Sequence, residues 1–271
     1  MSGREAADAA LMRPAVEADL VRLVSILHAP PVGTVHTEGD LVWFETGRPS
    51  QYLNGILRSP LVLGDADIAR ALEVFRHRRL PMMWWFFTGL DGMDAGTADR
   101  LVGQGLKLNS DRPGMALALS DLRKGVAPQG ASVQRVQNEK DFEGWTAVVN
   151  AGFGAPALED SPSSRSFRRI GFDDDSPFRH FICRVDGEPV AAVVIMLTGR
   201  FAGVSNMAAL PDQRRKGYGR FVLSHALAEV HRKEGADVAV LTADEAGAGL
   251  YRSLGFTTIC RHLTYVWAPP D

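Results

Sequence analysis

Apolar residues along this chain follow a helical period in two places, and what comes after each place is similar. Leu20, Leu23, Val24 and Leu27 fall on one helix face in the first half, as do Phe142, Trp145 and Val149 in the second. A second stripe follows in each half: Ile68, Ala71, Leu72 and Phe75 after the candidate N-cap Asp65, and later Leu223, Ala226, Leu227 and Val230. Both stripes predict a middle helix with one buried face. Beyond each lies an apolar run of strand character, 81–87 and 236–241, and then a short helix closed by Gly105 or Gly255. Glycine suits the left-handed residue that ends a helix, and Leu106 or Phe256 directly after it opens a last strand.

Between the two helical stripes of the second half stand strand candidates 181–185, 190–197 and 204–210, the first two joined by Asp186-Gly187, a strong hairpin signal. The resulting order is helix, antiparallel strands, helix, strand, helix, strand. It predicts an α/β (α+β) unit whose mixed, mostly antiparallel sheet is flanked by helices and turns parallel after the middle helix. The same order on both sides predicts a duplicated unit. Periodicity stops and turn formers cluster at 123–130, which divides the chain into 1–124, a linker 125–130, and 131–271.

Composition narrows the functions. With 45% hydrophobic residues in 271, there is enough apolar material for two domains of ordinary size. A net charge of -2 leaves no basic stripe for nucleic acid. No apolar run is long enough to cross a bilayer, and the first residues mix Arg4, Glu5 and Asp8 with alanines, so a cytoplasmic protein without a membrane partner is expected. Cys183 and Cys260 make neither a disulfide framework nor a metal set. His180 and Cys183, three apart on an expected strand, face opposite ways; His225 and His231 suit solvent-facing or helix-end positions.

The most informative stretch is the loop 210–220, Leu-Pro-Asp-Gln-Arg-Arg-Lys-Gly-Tyr-Gly-Arg, between a strand and the second middle helix. The first N–H groups of a helix lack internal partners, and its dipole places about half a positive charge there, so such an end attracts anions. Gly217 and Gly219 have no Cβ to hold a diphosphate off, and Arg214, Arg215, Lys216 and Arg220 add charge. A dinucleotide fingerprint would need glycine where Val222 stands, and a triphosphate-binding loop would need Ser or Thr after Gly-Lys. A basic turn with no ligand is the remaining alternative.

The run Arg214-Arg215-Lys216-Gly217-Tyr218-Gly219 resembles the coenzyme A diphosphate loop of the GNAT N-acetyltransferase superfamily, and Leu250 to Phe256, Leu-Tyr-Arg-Ser-Leu-Gly-Phe, resembles that family's later Tyr-x-x-Leu-Gly-Phe signature. The resemblance covers the second half. It implies acetyl-coenzyme A as cosubstrate with no metal, a cofactor site of Met207, Ala208, Ala209, Arg214, Arg215, Lys216, Gly217, Tyr218, Gly219, Arg220 and Asp244, and a pantetheine arm held by the backbone of Met207, Ala208 and Ala209 in a gap between splayed strands. It also implies Tyr251 as the acid that protonates the departing thiolate. A phenol near pKa 10 stays protonated at neutral pH and suits that task, although Gly247, Leu250, Tyr251 and Leu254 have core spacing, and packing is the alternative.

Many relatives carry a glutamate on the strand before this loop; here 203–208 has no carboxylate. Glu159, Asp160 and the run Asp173-Asp174-Asp175 are candidates for the base or else solvated loop, and Asp244 stands where relatives commonly have asparagine. In the first half, 61–67 has no paired glycines and is acidic, so this half is a degenerate copy expected not to bind coenzyme A. Its aromatic runs 43–47 and 82–87 suit sheet core or a substrate-cleft wall. The expected function is acetyl transfer to a primary amine of a small molecule or peptide by a monomer or homodimer, with a non-catalytic acyl-coenzyme A sensor as the alternative.

Overall fold

The computed structural model describes residues 3–90, 96–154 and 162–270. By contacts the chain forms two compact units, Met1–Gly114 with Thr258–Asp271, and Met115–Thr257. The first contains α1 (Gly3–Leu27), β1 (Thr34–Glu38), β2 (Leu41–Glu45), β3 (Asn54–Arg58), α2 (Asp65–His77), β4 (Met82–Thr88), α3 (Thr97–Gly103) and most of β5 (Lys107–Ala118). The second continues with β6 (Ala131–Arg135), α4 (Glu139–Gly152), α5 (Pro162–Ile170), β7 (Phe178–Val185), β8 (Glu188–Thr198), β9 (Phe201–Ala209), α6 (Tyr218–Glu234), β10 (Val238–Thr242) and α7 (Glu245–Leu254). Nearly all of β11 (Thr257–Trp267) belongs to the first unit.

Each unit has the mixed sheet expected from the pattern. In the first, β1, β2 and β3 are antiparallel neighbours, and β4, reached through α2, runs parallel to β3. The close pairing there requires Gly55, since a Cβ would collide with the Met83 carbonyl. β11 lies antiparallel to β4, from Arg261 opposite Thr88 to Trp267 opposite Met82. Alternate residues of these strands, Met82, Trp84, Phe86 and Tyr265, meet Ile68, Leu72 and Phe75 of α2 in one core. Val24, Val42, Phe44 and Leu57 form a second cluster. The aromatic runs of this half are therefore largely sheet core, with Trp84 Nε1 donating to Ser59 Oγ at 3.2 Å. Burial of each such side chain stabilises by about 1.5–3 kcal/mol before entropy is counted.

In the second unit β6 to β9 are successive antiparallel neighbours, and β10, reached through α6, runs parallel to β9. The hairpin at Asp186 (φ 51°) and Gly187 (φ 89°) has both central residues left-handed, the geometry that suits a two-residue turn. Val222, Leu223, Ala226, Leu227 and Val230 of α6 pack with Phe181, Cys183, Val193 and Ile195 of the sheet. Alternate β7 residues face the other way. There His180 sits among Phe142, Trp145 and Phe167, and burial holds its pKa down to about 3. Cys183, on the opposite face, is pushed up to about 11 by burial. His231 Nδ1 donates to Ala236 O at 2.6 Å just past the end of α6, a helix-end role, and His225 lies 3.7 Å from Glu229.

Some expectations are corrected. Asp65 is not the N-cap of α2; Gly64 is, and the side chain that reaches back belongs to Asp67, whose Oδ2 accepts from Gly64 N at 3.1 Å. The third of the strand candidates, 204–210, is β9, which ends at Ala209, so Leu210 lies outside it. Strands β1, β2, β3 and β6 and helix α5 had no clear signal. Among the described residues no helix is long and apolar enough to cross a membrane.

Candidate active site

The candidate site lies where β9 loses one of its two partners. Near its start β9 pairs with β10 through Phe201–Val238, Ala202–Ala239 and Gly203–Val240, and the parallel ladder stops there. On its other side, Val194 lies opposite Ser205 and Ala192 opposite Ala208. Asn206 and Met207 therefore share the single place opposite Val193, which is a β-bulge, and Asn206 takes φ 48° to make it. A bulge bends its strand, and here it comes just after the ladder to β10 ends. The stretch 204–209 consequently has no ladder partner on its β10 side, and it includes the segment where the resemblance places pantetheine.

After Leu210 a single 3-10 turn, Pro211–Gln213, leads into Arg214, Arg215 (φ 65°) and Lys216. Gly217 is the N-cap of α6 with φ 88°, a conformation costly for any residue with a Cβ. No side chain caps this helix, and its first internal bond is Phe221 N to Gly217 O at 3.0 Å. The amides of Tyr218, Gly219 and Arg220 thus open the helix without a protein cap, next to a basic loop, which is the electrostatic arrangement that holds a phosphate. Arg220 lends one donor to Ser253 O at 3.5 Å, while its Nε is buried without a partner among the described residues.

The loop's cations differ in their engagements. Arg214 Nη2 donates to Gly152 O at 2.7 Å and its Nε to Ala209 O at 3.4 Å, which ties the loop to the end of α4 and the end of β9. Lys216 Nζ donates to Gln213 Oε1 at 3.0 Å, and Arg215 is exposed. A Cβ on Gly219 would come within 2.9 Å of Met207 Cε and 3.3 Å of Leu250 Cδ1, so this glycine lets β9, α6 and α7 converge. Ala208 meets the other side: its Cβ lies where a Cβ on Gly152 would collide.

Tyr251 stands one residue beyond Leu250, packed against the edge of the second-unit core with its ring edge-on to Phe256. Burial, and after it the Asp244 carboxylate, push its phenol above the ordinary tyrosine range. Asp244 is the N-cap of α7, accepting from Gly247 N at 2.6 Å, a role the sequence reading did not assign to it.

No carboxylate stands on β9. Ser205 Oγ is buried there without a hydrogen-bond partner among the described residues. Asp174 is bound to Arg135 at 2.6 Å, which holds its carboxyl below the usual range, and Asp173 Oδ1 accepts from Ser176 N at 3.1 Å. Both are occupied in fixing the start of β7. Glu159 and Asp160 lie outside the described residues. Among the described residues no group of three or more His, Cys, Asp or Glu is placed to hold a metal ion. Sequence reasoning missed the bulge at Asn206 and the orphaned Ser205 hydroxyl, neither of which leaves a signal in 203–208.

Residues 176–258 match the family model described as an acetyltransferase (GNAT) domain. None of the curated proteins matches the chain. Among solved structures, a GCN5-related N-acetyltransferase from Kribbella flavida superposes with a TM-score of 0.73 at 20% identity, covering 95% of this chain and 96% of that one. A tandem GNAT protein from the clavulanic acid biosynthesis pathway gives 0.65 at 15% identity, covering 95% and 97%. A GCN5-related N-acetyltransferase from Sphaerobacter thermophilus gives 0.64 at 14% identity, covering 95% and 94%. At such identities the likeness is one of fold. Residues 176–258, nearly all of them in the second unit, thus match a GNAT acetyltransferase domain, and the chain as a whole has the fold of GCN5-related N-acetyltransferases, a tandem GNAT protein among them.

Proposed function

We propose that this protein is an acetyl-coenzyme A-dependent N-acetyltransferase acting on a primary amine of a small molecule or peptide. The observation that carries the reading is the uncapped start of α6 at Gly217, set against the end of the β9–β10 ladder. An anion is the natural cap for such an end. The residues fit the cosubstrate, which supplies an acetyl group activated as a thioester. The amides of Tyr218, Gly219 and Arg220, with Arg215, Lys216 and the free donors of Arg220, hold the diphosphate. The backbone of Met207, Ala208 and Ala209 holds the pantetheine arm, and Arg214 keeps the loop in place through Gly152 and Ala209.

Tyr251 donates a proton to the departing thiolate. A phenol raised by burial stays protonated at neutral pH and gives up its proton only to a strong base, which a free thiolate becomes as it forms. Because β9 has no carboxylate, the amine enters already neutral.

Calorimetry with coenzyme A and a thiol-release assay on a panel of primary amines test this reading. Expected are saturable binding and turnover, with Tyr251→Phe lowering kcat by about 10² to 10⁴-fold while binding is unchanged. Binding without turnover on any amine would favour the sensor, a reading motivated by the missing strand carboxylate. No binding would end both.

A further inference from the structure

Asp244 does more than start α7. A Cβ placed on Gly247 would lie 2.8 Å from Asp244 Oδ1 and 3.1 Å from Tyr251 Cε2, so the carboxylate oxygen and the ring edge beside the phenol carbon are within about 6 Å of each other across this glycine. The hydrogen bond from Gly247 N at 2.6 Å fixes the carboxylate in that place. The elements around Tyr251 bring Tyr218 and Arg220 from α6, Met207 from β9, Phe256 from the segment after α7, and Glu245 and Arg252 from α7 itself. Of the charged groups, Asp244 is the one whose field shifts the phenol, and it acts in the same direction as burial.

This arrangement answers a difficulty in the chemistry. A primary alkylamine such as a lysine side chain becomes neutral only near pH 10, and an ordinary tyrosine loses its proton in the same interval. Without a strand carboxylate to take the amine's proton, the amine and the acid would be competent in opposite pH ranges. Burial first, and then a negative charge fixed beside the ring, separate the two.

We propose that Asp244 is a positioning residue for acetyl transfer: its carboxylate, held across Gly247 from the Tyr251 ring, keeps the proton on that phenol through the alkaline range in which the acceptor amine becomes nucleophilic. The proposal rests on the acetyl-transfer reading above. In the step itself the N–C bond forms as the C–S bond breaks. The Tyr251 proton goes to sulfur, and the proton lost by nitrogen passes to solvent, from which the phenol is restored.

The test uses the full chain with Asp244→Asn, which retains an amide oxygen able to cap α7, and Tyr251→Phe. Two readouts are taken: the ultraviolet absorbance of tyrosinate against pH, as a difference from the matching Tyr251→Phe protein, and kcat against pH on an accepted amine. Expected in Asp244→Asn are a lower titration midpoint for Tyr251 and an alkaline fall in kcat, about tenfold at the top of the range, that the parent lacks. In the Tyr251→Phe background the Asp244 change should leave the profile alone. An unchanged midpoint in Asp244→Asn, or an equal change of profile with and without Tyr251, overturns the proposal. Should no amine be turned over by the parent protein, the acetyl-transfer reading falls and this proposal with it, whereas an unchanged midpoint in an active parent sinks the proposal alone.

Discussion

The starts of α2 and α6 occupy the same place in two copies of one topology, and they are finished in opposite ways. At α2 the residue after Gly64 is Asp65, and Asp67 accepts from Gly64 N, while Thr97 Oγ1 accepts from Leu63 N at 3.2 Å. The first turn thus carries two acids of its own, although no side chain caps its opening amides. At α6 the matching positions after Gly217 are Tyr218 and Arg220, and no side chain caps the amides. A shared fold thus fixes where a helix start stands, and the side chains of its first turn decide whether it carries the protein's own acids or, on the proposed reading, receives a cosubstrate.

Exchanging those side chains should break the comparison. Tyr218→Asp with Arg220→Asp reproduces at α6 the acid spacing of α2, and coenzyme A affinity measured by calorimetry should fall by roughly 100-fold or more, since two like charges are placed at the diphosphate. Retained affinity would remove α6 from the site.

A smaller effect tests what the units have in common. Each buries a neutral histidine, His262 in the first and His180 in the second, with folded pKa values of about 3 against an ordinary 6.5, lowered chiefly by burial. The unfolded chain takes up these protons first. The stability they permit is intact above pH 6.5 and is lost as pH falls from there toward 3, by about 1.4 kcal/mol per pH unit for each histidine. Urea unfolding at pH 7 and pH 5 should show this loss, and His180→Phe, which fits among Phe142, Trp145 and Phe167, should remove about half of it. An acid slope unaltered in His180→Phe would show that other groups are responsible.

The smallest effect sharpens the contrast. Asp67→Ala removes the self-supplied partner of α2 and should cost about 0.5–1 kcal/mol in thermal unfolding. It should leave coenzyme A binding untouched. A change in that binding would mean that the first unit takes part in holding the cosubstrate.

What could be read from the sequence follows from how locally each feature is determined. The stripes of α2, α4 and α6 and the Asp186-Gly187 hairpin are set by spacing within a few residues, so they were legible, and so was the loop 214–219. Strands β1, β2 and β3 are short and only partly alternate between buried and exposed positions, so they gave little periodic signal. In α5, Phe167 is the buried anchor in a run otherwise rich in serine and arginine. The bulge at Asn206 depends on the register of β8, which no residue of β9 records. The role of Asp244 depends on a ring seven residues away being brought back by one and a half turns or more of helix, with glycine between them. Nor does a strand's own pattern name its neighbour: the element order predicts the strand after Gly255 as the last of the second unit, and the structure sets it against β4 of the first.

That placement has a consequence for biosynthesis. β11 follows β4 by roughly 170 residues, and it contributes Tyr265 to the core that α2 covers. While the chain is being made, the first unit therefore waits with one edge of β4 unpaired until the whole of the second has emerged from the ribosome. Loop closure over that separation makes its pairing slow, and during the delay the exposed edge is open to a strand from another nascent chain.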